Sequence, residues 1–211
     1  MKNIKIKRFS AYLLDLIIVI LITTLLNQIN FLNPYKSKYN KVYEKYEEYY
    51  KENFNENTTM DYDIFSTKEY LDLTHDLAYY SMSYTIIFIV VSILYFVLFT
   101  FIFEGQTVGK KFFKLKIVDN KKNKPSIFNL LIRTLFYPIW TNIILYTTLS
   151  NFLILICIIL FKGKTYFYSN LIISLAFAIY CYVDVISFIN KDECIHEKLS
   201  KTKIVEINKG V

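Results

Sequence analysis

Four long apolar runs set the hydrophobic pattern of the chain. About 20 helical residues cross a hydrocarbon core about 30 Å thick, and each run comes close to that length. Because backbone groups inside the core must be hydrogen-bonded within their own segment, each run predicts a helix. A water-soluble core would need four helices that are apolar on every side, so we predict an all-α membrane protein. The predicted spanning helices cover residues 9–26, 79–103, 139–161 and 166–189.

A shorter apolar segment before the third run has one polar face. Ser126, Asn129, Arg133 and Tyr137 fall on one side of a helix, and the rest of the segment is mostly Leu, Ile and Phe. Such a helix suits a membrane surface. It therefore predicts an amphipathic helix between Ser126 and Pro138, lying on the inner leaflet.

The segment 27–78 between the first two runs is polar and rich in tyrosine. After Asn33-Pro34, tyrosines recur at steps of three and four with lysine and glutamate between them, which predicts a helix. The tyrosine stripe is either a packing face or a ligand surface. Ser66-Thr-Lys-Glu69 has the spacing of a capping box, so the next helix is expected to begin near Thr67 and to continue into the second span. We interpret 27–78 as a helical insertion outside the membrane, within a single domain covering residues 1–211.

The net charge of +7 is unevenly distributed, which gives the expected topology. Lys2, Lys5, Lys7 and Arg8 precede the first run, and residues 104–124 carry seven lysines against two acids; the segment 27–78 carries six lysines against ten acids. Positive residues stay on the cytoplasmic side of inserted helices. With four spans, both termini are therefore expected in the cytoplasm. The uneven distribution of the basic residues argues against a nucleic-acid partner.

An aspartate interrupts the first run. Asp15 follows Arg8 by seven residues, so both project from nearly the same helical face, about 10 Å apart in depth. A charged group in the bilayer core costs about 2.5–3.5 kcal/mol on insertion scales, so Asp15 should find a partner. Asp184 enters the last span at a similar depth, and Arg133 lies at a similar level on the surface helix. We expect Arg8, Asp15, Arg133 and Asp184 to form a pocket for an ion or ligand in the inner half of the membrane, with an arginine as the partner of Asp15. The alternative is that Asp15 pairs only to stabilise the helix bundle.

Two short segments far apart in the chain predict a small cytoplasmic sheet. Lys114-Leu-Lys-Ile-Val-Asp119 and Thr202-Lys-Ile-Val-Glu206 share a pattern, and each alone would expose unpaired backbone groups. We expect them to pair and to bring the tail residues His196 and Glu197 near the loop Gly105–Lys110. The alternative is a disordered basic tail.

Several separated stretches carry a family resemblance. Three of them are an opening, a loop and a tail: Lys7-Arg-Phe-Ser-Ala-Tyr-Leu-Leu-Asp15, Glu104-Gly-Gln-Thr-Val-Gly-Lys110 and Ile195-His-Glu-Lys-Leu-Ser-Lys-Thr-Lys-Ile-Val205. Together, and in this order, they resemble the RDD family of bacterial integral membrane proteins. The resemblance covers about two thirds of the chain and omits 27–78. It implies a motif of loop and tail residues: Gly105, Gln106, Thr107, Gly109, Lys110, His196 and Glu197. The family's usual aspartate after the tail histidine is replaced by Glu197, which leaves its second acid open between Asp184 and Glu197.

The resemblance implies transport of a small ligand, or exchange of a cation for a proton. The alternative is an accessory or regulatory protein that binds another membrane protein. We expect no enzyme, because Asp184 follows Cys181-Tyr-Val and lacks the Gly-x-Gly-Asp sequence of intramembrane aspartyl proteases. We expect neither metal nor cofactor, and we interpret Cys157, Cys181 and Cys194 as apolar fillers. The expected partners are the lipid bilayer, further copies of the chain if four spans are too few for transport, or another membrane protein.

Overall fold

The fold is a small helical bundle with two short antiparallel sheets of two strands each. The computed structural model describes residues 2–53, 62–141, 144–191 and 193–207. Its helices are α1 (Lys2–Asn27), α2 (Lys36–Asn53), α3 (Lys68–Tyr80), α4 (Met82–Ile93), α5 (Thr100–Ile102), α6 (Val108–Phe112), α7 (Ile127–Phe136), α8 (Thr148–Leu160), α9 (Gly163–Lys191) and α10 (Ile195–Leu199). The strands are β1 (Leu115–Asp119), β2 (Pro138–Thr141), β3 (Ile144–Thr147) and β4 (Thr202–Glu206).

Three helical segments of the described chain are long and apolar enough to cross a membrane: Ile4–Asn27, Met82–Ile102 and Gly163–Lys191. The second combines α4, a π-helical turn at Leu94–Phe99 and α5. These three candidate spans coincide with three of the four predicted ones and suit a membrane protein. Their outward apolar side chains suit a lipid environment.

The prediction of one continuous helix over residues 139–161 is wrong. The β2–β3 hairpin takes the first part of this run, and α8 takes 13 residues of the remainder, about 20 Å at 1.5 Å per residue. The Thr147 side chain caps α8 by accepting from the backbone N–H of Ser150, while the Ser150 hydroxyl accepts from the N–H of Thr147. This reciprocal cap fixes the start of α8 in the middle of the apolar run. Hydropathy alone could not reveal it, because threonine and serine are common inside membrane helices.

In the segment 27–78, α2 forms where the spacing of the tyrosines predicted a helix, and residues 54–61 lie outside the described part. Thr67 caps α3 through its own hydroxyl. The prediction that this helix continues into the second span is wrong, because the helix is interrupted at Ser81 before α4 begins. The tyrosine stripe of α2 is mainly a packing face: Tyr49 is buried and contacts Tyr70 of α3. Tyr43 and Tyr50 are exposed.

The α7 helix forms over the residues predicted for the amphipathic helix. Ser126 caps it by accepting from the N–H of Asn129, and the helix ends just before Pro138. Phe128 is exposed on the apolar side, whereas Leu130 is completely buried against Val97 and Ile117.

The predicted pairing of the two Ile-Val segments is confirmed. β1 and β4 are antiparallel, with Lys116 opposite Val205 and Val118 opposite Lys203. Lys7 of α1 forms an ion pair with Glu206 at the edge of this sheet. The start of α1, the sheet and the end of α9 therefore lie on one face of the molecule, which places the N-terminal residues beside the tail.

Candidate functional site

Asp15 lies in the middle of α1 and is completely buried. One carboxylate oxygen accepts from the Tyr95 hydroxyl at 2.7 Å and from the backbone N–H of Gly109 at 2.8 Å. The other accepts from the Thr107 hydroxyl at 2.5 Å and from the Lys110 ammonium at 3.3 Å. Four donors thus surround one carboxylate, which satisfies its hydrogen-bonding capacity.

The loop residues meet Asp15 because local structure directs them there. Thr107 begins α6 and accepts from the N–H of Lys110, so the first turn of α6 presents its backbone to the carboxylate. Gly109 permits the close approach: a Cβ there would lie 2.3 Å from the carbonyl oxygen of Ala11. Tyr95 lies on the π-helical turn, which turns its hydroxyl toward Asp15.

Lys110, rather than an arginine, is the cation paired with Asp15. The expectation of an arginine partner is therefore wrong, because the loop folds back against α1 and fills that position. Burial lowers the pKa of Lys110, while the adjacent Asp15 opposes the shift. The loop and the first helix are joined by one buried ion pair.

Gly105 and Gln106 connect the same loop to β1. Gly105 has a φ of 92°, and a Cβ on it would lie 2.1 Å from the carbonyl oxygen of Ile117. The Gln106 side-chain amide donates to the carbonyl of Leu115 at 3.0 Å. The loop motif thus positions both the Asp15 cluster and the β1–β4 sheet.

The predicted arginines meet at a second cluster, around the tail. Glu197 is 2% exposed and accepts from Arg8 at 2.8 Å and from Arg133 at 3.1 Å through the same oxygen. Arg133 also donates to the Thr202 hydroxyl at 2.9 Å. Burial opposes ionisation of Glu197, but Arg133 and Arg8 outweigh it and lower its pKa to about 2. α1, α7 and the tail are thereby joined through one carboxylate.

Asp184 and His196 form a buried pair next to that cluster. The Nδ1 atom of His196 lies 2.9 Å from one carboxylate oxygen of Asp184, and the backbone N–H of His196 donates to the other at 3.0 Å. Burial and Arg133 lower the pKa of His196, with Asp184 opposing them, and this shift favours the neutral imidazole. Because a carboxylate only accepts, Nδ1 carries the proton and Nε2 is left with a bare lone pair. Nε2 is buried and has no hydrogen-bond partner among the described residues.

A cavity of about 140 Å³ lies between α1, α7, α9 and the tail. Arg8, Arg133, Asp184, Cys194 and His196 form its polar part, and apolar side chains complete the lining: Phe9, Tyr12, Tyr137, Pro138, Val185, Phe188 and Ile204. Three of the four residues predicted to share a pocket therefore do so. Asp15 is not part of this lining and lies in its own cluster.

Sequence reasoning missed three residues that complete these clusters. Tyr95 and Thr202 each supply a hydroxyl to the buried charges, and Cys194 places its sulfur 3.8 Å from the Arg8 guanidinium. Burial, with Glu197 and Asp184 nearby, raises the pKa of Cys194 to about 12. The position of Cys194 two residues before His196 is the one signal that could have drawn attention to it.

The order of these elements matches a known family over nearly the whole chain. The profile of the RDD family matches residues 6–201. The chain belongs to the RDD family. No curated protein and no solved structure matches this RDD protein. The match includes the insertion 27–78 as well as the loop and tail that build the two clusters. An integral membrane protein follows from the family together with the three apolar helices.

Proposed function

We propose that this RDD protein transports a small ligand or cation across the bacterial cell membrane, and that the cavity beside Asp184 and His196 is its binding site. The observation that carries the proposal is the unpartnered Nε2 of His196. A buried lone pair without a donor is unfavourable, and a bound ligand or cation would satisfy it. In the cavity lining, Asp184, Cys194 and His196 are buried, whereas Phe9 and Val185 are exposed.

The proposed topology has four crossings and both ends in the cytoplasm. Lys5 donates to the carbonyl of Ile189, and the backbone N–H of Ile207 donates to the carbonyl of Lys114, so the basic N-terminus, the basic loop and the tail share one face. The rule for positive residues assigns that face to the cytoplasm. The β2–β3 hairpin and α8 together supply the fourth crossing. Non-helical backbone is tolerated at that depth where protein covers it, and Ile139 of the hairpin is 2% exposed.

Asp15 has a different role in this proposal. A cation at Asp15 would have to displace Lys110 and two hydroxyl donors from a carboxylate that has no exposed surface. We therefore assign Asp15 to holding the cytoplasmic loop against α1. Neither cluster is assigned a catalytic role.

Flux through proteoliposomes tests the transport proposal. Purified full-length protein is reconstituted, and uptake of monovalent cations, divalent cations and protons is followed with ion-sensitive dyes. We expect His196→Gln to reduce uptake at least tenfold. The matched control is His75→Gln, because His75 is the other histidine of the chain and is also buried, but lies at the opposite end of the bundle against the carbonyl of Ile158. Equal uptake by wild type and His196→Gln, or uptake no faster than in empty vesicles, would contradict the proposal.

An accessory role is the second candidate, favoured by the exposed Tyr43 and Tyr50 on α2. Aromatic side chains on an outer helix suit contact with another membrane protein. Two results together would support the accessory role. A specific membrane protein would form a defined complex with the wild type but not with the Tyr43→Ser/Tyr50→Ser variant, and vesicles with the wild type would show no flux.

A further inference from the structure

Three side chains capable of binding a metal ion meet at the wall of the cavity. Asp184 comes from α9, while Cys194 and His196 come from the turn that begins α10. All three are buried, and one ligand atom from each lies within 4.8 Å of the others. Within the described residues, this is the cluster with three metal-binding side chains in reach of one another.

The geometry of His196 and Asp184 determines which ring nitrogen can share an ion with the carboxylate. The Nδ1 atom of His196 lies 2.9 Å from a carboxylate oxygen of Asp184, whereas Nε2 is on the far side of the ring. A metal ion bound by both side chains therefore takes the place of the proton on Nδ1, and the remaining ring proton moves to Nε2.

The local charges are compatible with a divalent cation. Arg8 and Arg133 lie close by, and each is already paired with Glu197. When Cys194 binds as a thiolate, three negative groups, namely Asp184, Glu197 and the thiolate, face two arginines. A dication then enters a site of net charge −1. The ion, together with Arg8 at 3.8 Å from the sulfur, offsets the burial that raises the pKa of the Cys194 thiol.

We propose that Asp184, Cys194 and His196 bind a borderline divalent transition metal of the Zn²⁺ class. Sulfur and nitrogen donors select such metals over Mg²⁺ and Ca²⁺, which prefer oxygen alone. Bonds of about 2.0–2.3 Å place tetrahedral ligands about 3.3–3.8 Å apart, so the three side chains close slightly around the ion. The Cys194 thiol releases its proton to water as the metal–sulfur bond forms, and no electron is transferred.

Three protein ligands leave the fourth tetrahedral position for water. Structural zinc sites have four protein ligands, whereas sites with an open position exchange their fourth ligand. An open position facing a cavity suits a cation that arrives and leaves. The assignment of a divalent metal ion as the transported substrate rests on the proposed transport function. Binding of the metal can be measured separately, without any flux.

Cobalt titration of the purified full-length protein in detergent tests the site. Co²⁺ replaces Zn²⁺ in tetrahedral sites and gives visible bands, with a near-ultraviolet charge-transfer band when a thiolate is bound. We expect one Co²⁺ per chain with the thiolate band, and loss of the bands on adding equimolar Zn²⁺. Cys194→Ser should abolish the charge-transfer band, while Asp184→Asn and His196→Gln should weaken binding at least about tenfold.

Cys157→Ser is the matched control, because Cys157 is also buried but lies in α8 outside the cluster. It should keep the band, and thermal unfolding of each variant in detergent verifies that it is folded. The proposal is overturned if wild type shows no thiolate band, or if Cys194→Ser retains it. Monovalent-cation flux without Co²⁺ binding would overturn the metal site and support the transport function. Co²⁺ binding without any flux would support the metal site and overturn the transport function.

Discussion

Asp15 and Lys110 are 95 positions apart, yet their side chains form a buried ion pair of 3.3 Å. The carboxylate comes from the middle of the first spanning helix, and the ammonium comes from a short helix in the loop after the second. Their contact brings charged loop residues against a helix that is otherwise apolar. The buried Asp15 carboxylate is therefore stabilised by a segment that is distant from it in sequence.

Removing the carboxylate should destabilise the protein strongly. Asp15→Leu leaves Lys110 buried without its counter-charge, which costs about 3–5 kcal/mol in the free energy of unfolding. Asp15→Asn should cost less, because the amide oxygen still accepts hydrogen bonds. Unfolding in mixed detergent micelles, followed by circular dichroism, measures both values.

Two lysine variants separate the pair from a general loss of charge. Lys110→Met should be destabilising, whereas Lys111→Met should have little effect, because Lys111 is exposed. The double variant Asp15→Leu/Lys110→Met should be more stable than Asp15→Leu alone, since no buried charge is left unpaired. Equal stability of Asp15→Leu and wild type would show that the pair does not form.

The lowered pKa of Lys110 predicts a dependence of stability on alkaline pH. Burial is the main cause of the shift from the usual 10.5. Between the folded pKa and 10.5, the unfolded chain binds a proton that the folded chain has lost, so the free energy of unfolding rises with pH in that window. Lys110→Met should lack this rise, and Lys111→Met should retain it. Chemical unfolding at a series of pH values in detergent measures both slopes, and identical slopes in the two variants would contradict the assignment.

The sequence predicted those features that depend on local pattern. The amphipathic helix α7 and the first spanning helix followed from periodicity and length. The β1–β4 pairing followed from two similar segments that each needed a partner. These successes share one cause, because the residues that determine each element lie within the element itself.

The sequence-based predictions failed at one local helix cap and at contacts between distant segments. Hydropathy suggested one helix over 139–161, but reciprocal capping by Thr147 and Ser150 begins α8 inside that run. Charge and depth suggested an arginine for Asp15, but the fold of the loop supplies Lys110. The arginines instead share Glu197, whose position depends on the tail returning to the bundle. The partners of these charged residues could not be predicted from the sequence, because they depend on where the loop and the tail fold against the helices.

Gly109 should be intolerant of any side chain. A Cβ at this position would lie 2.3 Å from the carbonyl oxygen of Ala11 and 2.8 Å from a carboxylate oxygen of Asp15. Backbone cannot move aside easily, so Gly109→Ala should separate α6 from α1 and weaken the Asp15 hydrogen bonds. We expect a loss of about 2–4 kcal/mol, at the upper end of ordinary substitutions, measured by unfolding in detergent.

Gly163→Ala provides the comparison for that variant. Gly163 has a φ of 53° but nothing lies within 4 Å of a Cβ built there. It should lose only about 1 kcal/mol, from the left-handed backbone alone. A smaller loss at Gly109 than at Gly163 would mean that α6 does not pack closely on α1.

The register of the small sheet makes a geometric prediction. Lys116 lies directly opposite Val205, so cysteines at these two positions have Cα atoms about 4.5–5.5 Å apart. That distance is compatible with a disulfide. In a background without Cys157, Cys181 and Cys194, Lys116→Cys/Val205→Cys should form a disulfide under mild oxidation, visible as a mobility shift that reductant reverses. The control pair Lys116→Cys/Ile204→Cys should form it poorly, because a shift of one residue directs the second side chain to the other face of the sheet. Equal yields from the two pairs would contradict the register, and no disulfide in either would place the tail away from the loop.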